Sequence, residues 1–184
     1  NFKIYLNDIP KNITITNNNS SLFEITQTNL AFSGTGLING IVLSVKAIEN
    51  SNYGNLIGDW YTASTPTLNE WQILMNNSST RLIVYRHNNG IVLEAASGFS
   101  ANTWVNVVFT RIGSTLTLYA NNNVVGTATN SSIFGSATGN VNIGIDGDSS
   151  SERFTGLISN VLIYRKGLSA VEVAQNYEAQ KSKF

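Results

Sequence analysis

At 184 residues the chain has the length of one β-sandwich domain, enough to bury a real core. Eleven Lys plus Arg balance eleven Asp plus Glu and only 12% of residues are charged, so nothing steers the protein toward nucleic acid or an anionic membrane. The absence of Cys excludes disulfides and thiolate metal sites, and no apolar run approaches the roughly 20 residues a membrane helix needs.

About one residue in seven is Asn, so solubility rests on amides and hydroxyls. Such a surface suits an extracellular, cell-surface or virion protein, although an AT-rich genome inflates Asn equally well. The chain opens on Asn1 with no visible signal peptide, as expected of a mature product or a domain of a longer chain. No repeat, linker or composition break divides it, and one domain over 1–184 is expected.

In chain order, residues 2–6, 12–16 and 22–26 read as short strands separated by polar loops. Residues 40–48 are apolar on nearly both sides, as a central strand should be. A strand over 55–61 follows, then a loop over 62–69 containing Pro66. Residues 70–75 and 81–87 form a hairpin, and Asn88-Asn89-Gly90 turns the chain into a strand over 91–95.

The most regular stretch begins at Trp104. Val105, Val107 and Phe109 share one face of a strand, while Trp104, Asn106, Val108 and Thr110 share the other. Ile112-Gly113-Ser114 makes a turn into a Thr/Leu-alternating strand, and Asn121-Asn122-Asn123 turns it back through 124–129. This is a three-strand meander. Ile133 and Phe134 are expected to tuck into the core edge, and Val141, Ile143 and Ile145 to share one strand face. A last long strand spans 154–164. Ser169-Ala-Val-Glu172 is a capping box, flanked by Leu168 and Val173 at staple positions, and starts a helix to about residue 180.

Trp104, Val107, Thr110-Arg111, Gly113, Leu116-Thr-Leu118-Tyr119 and the Asn turn resemble the laminin-G-like/concanavalin-like jelly roll. The run Phe154-x-Gly156-x-Ile158-x-x-Val161-x-Ile163-Tyr164, followed by Leu168-Ser169-x-x-Glu172, is similar to that family's closing strand and short helix. The resemblance covers roughly the last half of the chain. It implies an all-β, two-sheet antiparallel jelly-roll β-sandwich with one short C-terminal helix, and it implies a buried Trp104. The fold hosts lectins, adhesion modules, glycosidases and viral fibre parts, so it does not by itself fix the function.

Hydrolysis of a glycosidic bond needs carboxylates converging on a sugar ring. Glu70, Glu94 and Glu152 each stand alone, the Glu-x-Asp-x-x-Glu spacing of jelly-roll glucanases is absent, and His87 is the only histidine. The expectation is no catalysis; a glycoside-active enzyme with a non-standard carboxylate pair is the rival reading. A glycan face needs aromatic platforms beside amides, and Asp59, Trp60, Tyr61, Trp71, Tyr85, His87 and Asn88 supply both residue types. Against this, aromatics in sandwiches are chiefly core.

Asp146-Gly-Asp148 is the best cation candidate, since two carboxylates around a glycine can turn toward one calcium ion. Its bland reading is a solvated acidic turn. The expected role is a recognition or structural module on a cell or particle surface. Its partner would be a glycan or a neighbouring protein subunit, with no nucleic acid and no membrane insertion. A purely structural assembly domain is the remaining alternative.

Overall fold

The computed structural model describes residues 3–6, 14–17, 23–26, 38–47, 54–59, 70–76, 81–86, 89–95, 100–132, 134, 141–145 and 153–183. The strands are β1 (Lys3–Leu6), β2 (Thr14–Asn17), β3 (Phe23–Thr26), β4 (Gly40–Ala47), β5 (Gly54–Asp59), β6 (Trp71–Asn76) and β7 (Arg81–Arg86). They continue with β8 (Gly90–Ala95), β9 (Trp104–Ile112), β10 (Thr115–Ala120), β11 (Asn123–Thr129), β12 (Asn142–Ile143) and β13 (Gly156–Tyr164). Helix α1 (Ala170–Gln180) and a 3-10 turn over Lys181–Lys183 follow.

Two sheets result. One has the order β1-β13-β4-β9-β10-β11 and the other β2-β3-β12-β5-β6-β7-β8. The ladders are antiparallel, as expected, with one exception among the described strands: β1 pairs with β13 in parallel. A parallel pair needs a long connection, and here almost the whole chain lies between the two strands.

The core is the space between the sheets, filled by strand alternation. Leu43, Val107, Phe109, Leu118 and Val161 come from the first sheet; Ile57, Trp71, Ile73, Leu82 and Val84 come from the second. Phe134 joins them, fully buried, with its ring centroid 5.1 Å from that of Phe109. The meander forms as read. Asn121 and Asn122 take φ of 48° and 66°, which lets a tight turn match the twist of β10 and β11.

Two sequence expectations fail locally. Trp104 is half-buried on the face of β9 opposite the core residues, not inside the sandwich. The alternation Val141/Ile143/Ile145 stops early: Gly144 has φ of +77°, so β12 is only two residues long and Ile145 leaves the strand half-buried. Left-handed backbone breaks the pleat that keeps i and i+2 on one face.

Helix α1 lies on the outer face of the first sheet. Leu168 and Val173, the staple pair, are buried with Val42, Val108 and Tyr119 in a second apolar cluster. Ser169 Oγ accepts from Glu172 N at 3.3 Å while Glu172 Oε2 accepts from Ser169 N at 2.9 Å, completing the capping box. Thr110 fixes the approach, since its hydroxyl accepts from Leu168 N at 2.6 Å and donates to Leu168 O at 3.0 Å. At the far end Gln180 is buried, and its Oε1 accepts from Ser44 Oγ at 3.3 Å and Asn106 Nδ2 at 3.4 Å. One outer face of the sandwich is thereby occupied.

Candidate ligand-binding face

The other outer face belongs to the second sheet. In β6, Trp71, Ile73 and Met75 point into the core, so Gln72 and Leu74 point outward. Register then carries Gln72 across five strands: Asn142 pairs with Gly58, Gly58 with Gln72, Gln72 with Tyr85, and Tyr85 with Ile91. Directly paired residues share a face. The row therefore holds two amides, a glycine, a phenol and an aliphatic side chain over roughly 19 Å, four interstrand spacings.

Exposure rises along the row toward β8. Asn142 and Gln72 are buried, Tyr85 is half-buried, and Ile91 is 51% exposed. Gly58 sits where a Cβ would lie 2.7 Å from the Trp71 carbonyl oxygen and 2.9 Å from Gln72 Cγ, so only glycine leaves the Gln72 side chain its position. The Nε2 of Gln72 is buried and has no hydrogen-bond partner among the described residues. A buried amide donor in that state costs about 1–3 kcal/mol until an acceptor reaches it.

The next row along the same face is Asn55, Leu74, Ile83 and Glu94. Asn55 is fully buried; its Nδ2 donates to Ile145 O at 2.6 Å, while its Oδ1 is buried with no partner among the described residues. Glu94 accepts from Arg81 at 2.7 Å, so the charges at this edge compensate each other.

Of the residues singled out from sequence, Tyr85 lies on this face. Trp71 does not. It is 0% exposed within the core, and its cross-strand partner is Arg86, whereas Tyr85 pairs with Gln72. A ring packed on all sides has no face to offer a sugar, so Trp71 is corrected from binding residue to core residue. Trp60, Tyr61, His87, Asn88, Asp146 and Asp148 lie outside the described residues. The other residues of the row, Gln72, Asn142, Gly58 and Ile91, were not among the sequence candidates. Alternation against Trp71 and Ile73 marked Gln72 as outward; the other three needed the register.

Charge is buried beside Trp71, which pairs with Asp59 and Arg86 and directly follows Glu70. Asp59, Glu70 and Arg86 are all buried, and Arg86 Nη1 donates to Asn89 Oδ1 at 2.9 Å. Burial lowers the Arg86 pKa, and the neighbouring Arg111 guanidinium adds to that shift. Arg111 comes from β9 of the opposite sheet and donates to Asn39 Oδ1 at 3.3 Å and Ser131 O at 3.4 Å. No group of three or more metal-ligating side chains occurs among the described residues. No helix among them is long and apolar enough to cross a membrane.

Facing sheets, one outer face closed by a helix and the other bearing a polar row, define a lectin-type β-sandwich. The chain belongs to the concanavalin A-like lectin/glucanases superfamily, whose sequence model matches residues 43–174. That span contains the meander and the whole of the C-terminal motif. No curated protein matches in sequence.

Among solved structures, the fold is similar to the CBM40 domain of a Ruminococcus gnavus IT-sialidase bound to α2,3-sialyllactose. The two share 17% identity at a TM-score of 0.64, over 78% of this chain and 84% of that one. A leech intramolecular trans-sialidase in complex with 2,7-anhydro-Neu5Ac is similar at TM-score 0.62 and 18% identity, over 76% of this chain and 23% of that one. A heptameric SAP-like pentraxin from Limulus polyphemus gives 0.58 and 16%, over 75% and 70%. At these identities the likeness is one of fold.

Proposed function

We propose that this protein is a glycan-binding module without catalysis of its own, acting at a cell or particle surface, and that its ligand lies along the Asn142–Gly58–Gln72–Tyr85–Ile91 row. The observation that carries the reading is the Gln72 amide, buried on an outward face with a donor that no described residue accepts. Sugars present hydroxyls that accept such donors and C–H faces that settle on a phenol ring or an aliphatic side chain. Family membership and the sialyllactose-bound neighbour support the same reading. The test is a glycan array followed by calorimetric titration. Tyr85→Ala should weaken binding roughly tenfold or more, about 1.4 kcal/mol. A blank array, or unchanged affinity in a folded Tyr85→Ala protein, sinks the proposal.

A second reading concerns calcium at Asp146 and Asp148. Asn55 favours it: the amide is anchored on Ile145 O, the residue before Asp146, and leaves a buried carbonyl oxygen unpartnered among the described residues. Calcium collects carboxylate, amide and carbonyl oxygens of this kind. Added calcium should raise the melting temperature of the wild type and not that of Asp146→Asn/Asp148→Asn. Identical melting with calcium and with chelator would exclude the site.

A further inference from the structure

We propose that Asn89 is a site of self-modification: the backbone nitrogen of Gly90 attacks the Asn89 carboxamide, ammonia leaves, and the turn between β7 and β8 acquires an acid beside Arg86. The site is independent of any ligand on the second sheet. An Asn-Gly pair is where this ring closure is least hindered, because glycine has no side chain to obstruct its nitrogen and its backbone turns freely. The chain contains the pair twice, at Asn39-Gly40 and at Asn89-Gly90.

The fold treats the two differently. Asn39 is tied through both atoms of its amide, with Nδ2 donating to Arg165 O at 2.7 Å and Oδ1 accepting from Arg111 Nη1 at 3.3 Å. Gly40 lies within the sheet between Thr110 and Tyr164, and a Cβ there would sit 3.0 Å from Lys166 O and 3.1 Å from Leu168 Cγ. A residue walled in this way cannot swing its nitrogen toward the preceding side chain. Asn89 is exposed, and Gly90 closes the turn with φ of +67° and nothing among the described residues within 4 Å of a Cβ position.

Arg86 supplies the activation. Its Nη1 donates to Asn89 Oδ1 at 2.9 Å, and because a guanidinium only donates, the contact fixes the carbonyl oxygen of the amide toward Arg86. A cationic donor on that oxygen draws electrons from Cγ and stabilises the oxyanion formed when Gly90 N adds to it. The Gly90 N–Cγ bond forms, the Cγ–Nδ2 bond breaks, and Nδ2 leaves as ammonia carrying the Gly90 amide proton. Water then opens the succinimide at either carbonyl, giving aspartate or isoaspartate at position 89. The aspartate keeps the Arg86 contact as a charge-assisted bond. The isoaspartate adds a backbone carbon to the turn that sets the β7–β8 register, one pair away from Tyr85 and Ile91.

The experiment incubates the whole folded chain in mildly alkaline buffer and follows amide loss by peptide mapping with mass spectrometry. Asn89 should convert roughly tenfold faster than Asn39 or more, since Asn39 must wait for its sheet to open. In denaturant the two rates should come together within about threefold, because neither pair is then held. Arg86→Lys, in a chain that still melts cooperatively, should slow Asn89 about threefold or more by removing the aimed donor. An Asn89 rate unmoved by that change overturns the part given to Arg86. Should the variant not fold, the wild-type comparison decides: conversion of Asn39 as fast as Asn89 in the folded chain, or an Asn89 that stays intact there while the denatured chain converts, overturns the proposal.

Discussion

Glu172 has three partners. Its Oε2 accepts from the Ser169 backbone N–H at 2.9 Å and from the Ser169 hydroxyl at 3.0 Å, and its Oε1 meets Lys166 Nζ. The Lys166 contact is the largest cause, and the two Ser169 bonds follow, in lowering its pKa from 4.5 to about 2. A carboxylate with a depressed folded-state pKa contributes stability above its unfolded pKa and loses it as pH falls toward the folded value. The window is therefore pH 4.5 down to about 2. Melting temperatures of wild type and Glu172→Gln should differ at neutral pH and converge across that window. Parallel pH curves would count against the carboxylate's role.

At the scale of elements, sequence legibility followed how local each signal is. The meander and the C-terminal helix rest on period-two alternation, Asn turns and a capping box, all contained within a few residues, and they formed as read. Gly144 escaped because the apolar alternation continues through it; its left-handed φ comes from a tertiary arrangement in which its N–H donates to Leu56 O and its carbonyl accepts from Phe154 N. Trp71 and Tyr85 looked like one aromatic surface, yet a pairing of Trp71 with Arg86 sends them to opposite sides. Alternation within a strand fixes two faces without saying which is the core, and register between strands supplies what remains. The candidate row spans five strands drawn from residues 58 to 142, so no single stretch of sequence contains it.

At the scale of the whole molecule, the two outer faces are built differently. The first sheet's outer face is sealed by α1 through Leu168 and Val173, while the second sheet's outer face carries the amide row, with the full thickness of the core between them. Lesions on opposite outer faces, separated by the core, should have effects that add. Val173 is fully buried, and Val173→Ala should cost about 2 kcal/mol. For a chain of this length that lowers the melting temperature by about 4–8 °C. Glycan affinity measured well below the transition should stay within twofold of wild type, the reverse of the pattern expected for Tyr85→Ala. If Val173→Ala weakened the ligand in proportion to its loss of stability, the faces would be coupled through the core. The division between a face that holds the fold together and a face that meets the ligand would then be wrong.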